Sequence, residues 1–186
     1  LRDLVTSVRE VWDFGAVFFL GYYNRGFISY HNACKGLPGL RAVASLAGTS
    51  YVDDSSCEDA QPVSVLHIHG TADHVILFEG DEGETVQEGG EPAFYAGAHD
   101  MMRRWSRRAG CEWSEHAQPY GVFDLDRYVP GSETHAFRLE AGCAEGIEIE
   151  LWKGEGSSHA PDYGDSFIGA LVDWLLSQEQ LPDSAG

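Results

Sequence analysis

The chain has 186 residues, 43% of them hydrophobic, and carries 30 acidic against 12 basic side chains for a formal net charge of −18. That length suits one packed core, so residues 1–186 are expected to form a single domain. An exterior this acidic repels phosphate backbones, which removes nucleic acid as a partner, and no apolar run approaches the roughly 20 residues of a bilayer span, which removes the membrane.

The opening LRDLVTSVREVWDF spaces Leu1, Leu4, Val5, Val8, Val11 and Trp12 as a helix does. The chain begins at Leu1 rather than Met and enters at once into a helix already under way, so the true N-terminus is expected to be missing. Ala16 to Tyr22 reads as a buried strand, GFISYHNACK as a helix stopped at Gly36, and LRAVASLAG as a second buried strand. PVSVLHIHG, Pro62 to Gly70, is a third strand, with proline at a permitted first position. The acidic stretch Asp81 to Glu91 reads as one long loop that holds much of the excess charge. A helix is expected over Ala93 to Gly110, with Phe94, Ala98, Met101, Met102, Trp105 and Ala109 on one face. Ile147 to Gly154 is the fourth strand, and Asp165 to Glu179 a closing helix with Asp165 as its N-cap. Strands alternating with helices predict an α/β fold, a mainly parallel sheet with helices on both faces.

In such a sheet chemistry collects at the carboxyl edge, where strands pass into loops. The first strand delivers Tyr23 and Asn24 there, the third His67, His69, Thr71, Asp73 and His74, and the fourth Ser157, Ser158 and His159. An aspartate after one strand and a histidine in a glycine-rich loop after a later one follow the chain order nucleophile, acid, base of α/β-hydrolases. In that arrangement Asp73 orients the His159 imidazole, and His159 deprotonates a hydroxyl at the strand-to-helix elbow. HIHGTADH also has the composition of a metal site, but three residues separate His69 from Asp73 where metallo-hydrolase spacing has one. The expectation there is two packed histidines with satisfied ring nitrogens and no metal. Cys34, Cys57, Cys111 and Cys143 are too far apart for a metal knuckle. They admit three disulfide pairings or four reduced thiols; the local pairs, Cys34 with Cys57 and Cys111 with Cys143, would each stabilise by roughly 3 kcal/mol and imply export.

GYYNRGFISYHNAC, LRAVASLAGTSY, SVLHIHGTADHVI and the GEGSSHAP loop resemble successive blocks of the polyhydroxybutyrate depolymerase and feruloyl esterase family. The resemblance runs from Ala16 onward and includes the cysteine positions. It implies a secreted or periplasmic α/β-hydrolase that transfers the acyl group of a small-molecule or polymeric ester and needs no cofactor. Asp73 and His159 take the acid and base positions, the Asn24 N–H one oxyanion position, and Tyr22, Tyr23, Phe78, Trp152 and Tyr163 surround the mouth. The family's elbow reads Gly-x-Ser-x-Gly-Gly, so Tyr23 stands at the serine and Arg25 at a glycine, where it is expected to crowd the helix crossing. The family's earlier strands, and the loop that gives the second oxyanion N–H, are expected to precede the residues present. The same changes define an alternative, a non-catalytic relative that retains the fold for binding.

Overall fold

The computed structural model describes residues 2–12, 15–86, 92–139 and 142–180. After helix α1 (Arg2–Val11), the chain forms β1 (Val17–Tyr22), α2 (Asn24–Cys34), β2 (Leu40–Leu46) and β3 (Ser64–Gly70). A two-stranded antiparallel ribbon follows, β4 (Gly80–Val86) with β5 (Pro92–Ala96), then α3 (Ala98–Arg108). The chain continues through β6 (Gly121–Phe123), β7 (Thr134–Leu139), β8 (Ile149–Gly154) and α4 (Asp165–Ser177). The main sheet has the order β1-β2-β3-β8-β7-β6, with the first four strands parallel and β7 and β6 antiparallel. The fold is α/β, with a mostly parallel central sheet.

Helices cover both faces, because the buried strands are apolar on both sides. Tyr30 and Ala33 of α2 and Met101, Met102 and Trp105 of α3 pack over Val43, Val65, Ile149 and Leu151. On the opposite face Phe167, Leu171 and Trp174 of α4 pack over Ala42, Ala44, Leu66, Ile68 and Trp152. Disulfides join Cys34 to Cys57 and Cys111 to Cys143, the two local pairings.

Several elements differ from the sequence reading. The acidic stretch is not one loop: residues through Val86 form β4, and the part at 87–91 lies outside the described residues. Charges and glycines hide a strand that is defined by backbone pairing with β5. Phe94 belongs to β5 and is half exposed, since α3 begins only after Gly97, whose extended φ −75°, ψ 169° makes it the N-cap. Likewise Gly164 caps α4, leaving Asp165 in the first turn, where its carboxylate faces the positive end of the helix dipole. Gly36 and Gly110 do end their helices, each with positive φ. α1 forms as expected but buries none of its residues: Leu4, Val8, Val11 and Trp12 are exposed.

Candidate active site

The turn from β1 into α2 is held by glycines. A Cβ on Gly21 would strike the backbone carbonyl of Arg25, and one on Gly26 would strike Ser45 and the Gly48 backbone. That closeness forces the tip residue, Tyr23, to φ 55° and ψ −122°, a conformation L-residues rarely adopt. Tyr23 N–H donates to the Leu46 carbonyl at 2.9 Å, and its own carbonyl accepts from Gly26 N–H at 2.9 Å. Arg25 does not crowd the crossing; its side chain is exposed, and Gly26 supplies the small residue at the contact. Asn24, the first residue of α2, presents its N–H among the unpaired donors of a helix N-terminus.

Asp73 and His159 are brought together by two loops joined to each other. Thr71 N–H donates to Gly154 C=O at 2.8 Å, Ala72 N–H to Ser157 C=O at 3.0 Å, and Gly156 N–H to Thr71 Oγ1 at 2.8 Å. Gly70 permits this, since a Cβ there would collide with the Ser157 carbonyl. As a result His159 Nδ1 lies 2.8 Å from Asp73 Oδ2. Asp73 Oδ1 accepts from the N–H groups of Val75 (2.8 Å) and Ile76 (2.9 Å), which fixes the carboxylate plane. Burial would raise the Asp73 carboxyl, but hydrogen bonds from His69, His159, Val75 and Ile76 outweigh it and hold it below the ordinary carboxylate value.

Both tyrosines of the turn touch the imidazole. Tyr23 meets the His159 ring edge-on with centroids 4.9 Å apart, and the Tyr22 ring lies tilted at 5.3 Å with its hydroxyl donating to the His159 carbonyl at 3.1 Å. Burial first, then the Asp73 charge, raises the Tyr22 phenol above its usual range. Among the described residues no hydrogen bond links the Tyr23 hydroxyl to His159; the Tyr23 ring packs instead on the cluster of Ile76, Ala93 and Tyr95.

Two clefts flank this pair. One of about 410 Å³ is lined by Tyr23, Asn24, Phe27, Tyr51, Phe94 and Tyr95 among others. The other, about 300 Å³, is formed by Tyr22, Leu46, Ala160, Pro161 and Tyr163. A larger polar cleft of about 560 Å³ includes none of these residues; there Arg108 donates to Asp54 and to the Cys57 carbonyl, tying down a surface loop.

Tyr22 and Tyr163 therefore border a cleft, but Phe78 and Trp152 do not. Phe78 is buried against His69 and His99, and Trp152 is buried under Phe167 of α4. Both are core residues because each points into a helix-covered layer and away from the carboxyl edge. The sequence reading missed Phe27, Tyr51, Phe94 and Tyr95. Reading residues 93–97 as helix hid the aromatic pair that the ribbon turns toward the elbow.

His67 and His69 have their ring nitrogens engaged. Tyr30 Oη lies 2.8 Å from His67 Nδ1, His67 Nε2 3.2 Å from His69 Nδ1, and His69 Nε2 2.8 Å from the Ile76 carbonyl. Among the described residues no three His, Cys, Asp or Glu side chains group as metal ligands would.

No family model matches the chain. Over 170 residues, 89% of its length, the chain is 25% identical to feruloyl esterase B of Piromyces equi. The chain is a distant relative of an esterase. It spans 28% of the length of that relative.

Proposed function

We propose that this chain is an ester-recognising domain of the α/β-hydrolase type, related to feruloyl esterases and polyhydroxybutyrate depolymerases, whose Asp73–His159 pair is the acid–base pair of acyl transfer. The observation that carries the reading is the 2.8 Å contact between His159 Nδ1 and Asp73 Oδ2 beside the strained elbow at Tyr23. The distant relationship to a feruloyl esterase supports it.

In that chemistry a hydroxyl oxygen at position 23 bonds to the ester carbonyl carbon while its proton passes to His159 Nε2. The proton then leaves with the alcohol, and water activated by the same imidazole releases the acid. Asn24 N–H faces the developing oxyanion, and the cleft of Phe27, Tyr51 and Phe94 holds an apolar acyl group, small or polymer-borne. A tyrosine hydroxyl lies several ångströms beyond a serine Oγ, so the native Tyr23 is misplaced for attack. Its edge-on packing against His159, without a hydrogen bond, favours the companion reading that this chain binds esters and turns them over slowly if at all. Ser29, the nearest alternative on α2, donates its hydroxyl to the Arg25 carbonyl. The two disulfides are in keeping with an exported protein.

The test is the double variant Tyr23→Ser, Arg25→Gly, compared with the native chain in hydrolysis of an aryl ester and in labelling by a fluorophosphonate. The expected result is a gain of 100-fold or more, on the order of one oxyanion or nucleophile contribution, abolished by His159→Ala. A folded double variant that neither hydrolyses the ester nor takes up the label at the introduced serine overturns the hydrolase reading.

A further inference from the structure

Behind the Asp73–His159 pair lies a buried row of polar side chains that acyl transfer does not use. Tyr30, His67 and His69 are all inaccessible, with His67 0% exposed. β3 supplies the two histidines, two residues apart and therefore on one face. The Tyr30 phenol comes from α2, above them.

The direction of every proton in this row is fixed from its far end. His69 Nε2 lies 2.8 Å from the Ile76 carbonyl and 3.3 Å from Asp73 Oδ2. A carbonyl and a carboxylate only accept, so Nε2 carries the proton. In a neutral ring His69 Nδ1 then accepts, which requires His67 Nε2 to donate; His67 Nδ1 in turn accepts from the Tyr30 hydroxyl. One assignment satisfies every group with both rings neutral. Burial, then the neighbouring His69 and His99, pushes the His67 imidazole well below its usual range, in keeping with a neutral ring.

The last proton of the row is shared between the Ile76 carbonyl and the same carboxylate oxygen that His159 uses. By distance Ile76 is the main acceptor and Asp73 the second. We propose that His69 is a positioning residue for the Asp73–His159 pair: its Nε2–H, oriented by Tyr30 and His67, holds the 73–76 turn in place and tempers the charge that Asp73 Oδ2 offers to His159. The proposal rests on the acid–base reading above only for its catalytic meaning. The electrostatic coupling can be measured without any substrate.

The test is imidazole NMR on the whole chain, following His159 through its titration. The titratable groups facing His159 are Asp73, Tyr22 and Tyr23, and those facing His69 are His67 and Asp73. His69→Leu removes one donor from Asp73 Oδ2, leaving the carboxylate a stronger partner for the imidazolium. The expected result is a rise of about 0.5 to 1 pH unit in the His159 midpoint. His69→Gln keeps an N–H near the Nε2 position and should return the midpoint to within about 0.2 unit of the native value. An unchanged midpoint in a folded His69→Leu protein overturns the proposal. If that variant does not fold, the native chain decides alone: nitrogen shifts must show Nε2–H tautomers at both His67 and His69, and an Nδ1–H at His69 overturns it. Failure of ester hydrolysis with a shifted midpoint would remove the hydrolase reading and leave this coupling standing.

Discussion

His159 donates its Nδ1 proton to Asp73 Oδ2 across 2.8 Å, although 86 residues separate the two in the chain. The same carboxylate takes two backbone N–H bonds and is held below the ordinary carboxylate value. A carboxyl whose folded value is depressed stabilises the fold fully above the unfolded value, near 4, and loses that contribution as pH falls through the folded value. Asp73→Asn, which turns an amide toward two N–H donors, should therefore cost about 1–3 kcal/mol at pH 7. The difference from the native protein should narrow below about pH 4. Urea unfolding at pH 7, 5 and 3 measures it; a gap that stays constant with pH would show that Asp73 titrates normally.

The elbow depends on two glycines whose hydrogens face backbone. Gly21→Ala would push a methyl into the Arg25 carbonyl, so a loss of about 1–3 kcal/mol is expected, with the turn at Tyr23 distorted. Gly169, inside α4 with nothing within 4 Å of its missing Cβ, is the contrasting position. Gly169→Ala should stabilise by roughly 0.5–1 kcal/mol through helix propensity and lost unfolded-state freedom. Thermal melts of the two variants beside the native chain give opposite shifts if the elbow is as tight as its geometry shows.

The parallel strands and their carboxyl edges were legible in the sequence as stretches rich in apolar residues, and β3, SVLHIHG, is indeed buried on both faces. β1, VFFLGY, lies at the sheet edge and is only partly buried, with Leu20 and Tyr22 exposed, because it has a neighbouring strand on one side alone. Reading only the residues that follow those runs gave a short list that contains Asp73, His159 and Tyr23, and chain order with the family resemblance singled out those three. Side-chain direction was less legible. Trp152 sits two residues before the end of β8, close to the loop in sequence, but it shares its face with Glu150 and packs under α4. β8 is covered on both sides and carries one charge on each face, Glu150 and Lys153, so alternation gave no sign of which face Trp152 takes. Elements defined by partners elsewhere in the chain, β4 with β5 and β6 with β7, were not legible either. Asp81 illustrates why: a residue that reads as solvated charge is buried, with its carboxylate accepting from the N–H groups of Gly83 and Glu84.

The two disulfides close stretches with sequence separations of 23 and 32 residues. Chain-entropy arguments give each roughly 3 kcal/mol, and Cys34–Cys57 also anchors the end of α2, the helix that leaves the elbow, to the loop leading into β3. Reduction should lower the melting temperature by several degrees per bond, and Cys34→Ala with Cys57→Ala should loosen the elbow more than the Cys111, Cys143 pair does. Calorimetry with and without a phosphine reductant, and hydrogen exchange at the Tyr23–Phe27 amides for each double variant, separate the two effects.

Glu150 on β8 is a fully buried carboxylate that accepts from Arg138 Nε at 3.0 Å, from Trp152 Nε1 at 2.6 Å and from the Tyr120 hydroxyl. Burial, then the hydrogen bond and charge of Glu150, pushes the Tyr120 phenol up to about 12. Ionising Tyr120 would set a second negative charge against the carboxylate, so Glu150→Gln should bring the phenol down toward its ordinary value near 10. A spectrophotometric tyrosine titration detects that drop. Trp152→Phe removes the indole donor and part of the ring volume and should cost about 1–3 kcal/mol, whereas Trp152→Ala opens a larger cavity beneath α4 and should cost about 3–5 kcal/mol. Both losses should appear in urea unfolding with ligand affinity in the cleft unchanged, because Trp152 belongs to the core that supports β8 and lines neither cleft beside the elbow. A Trp152→Phe variant with native stability and altered ester affinity would place the indole at the cleft after all.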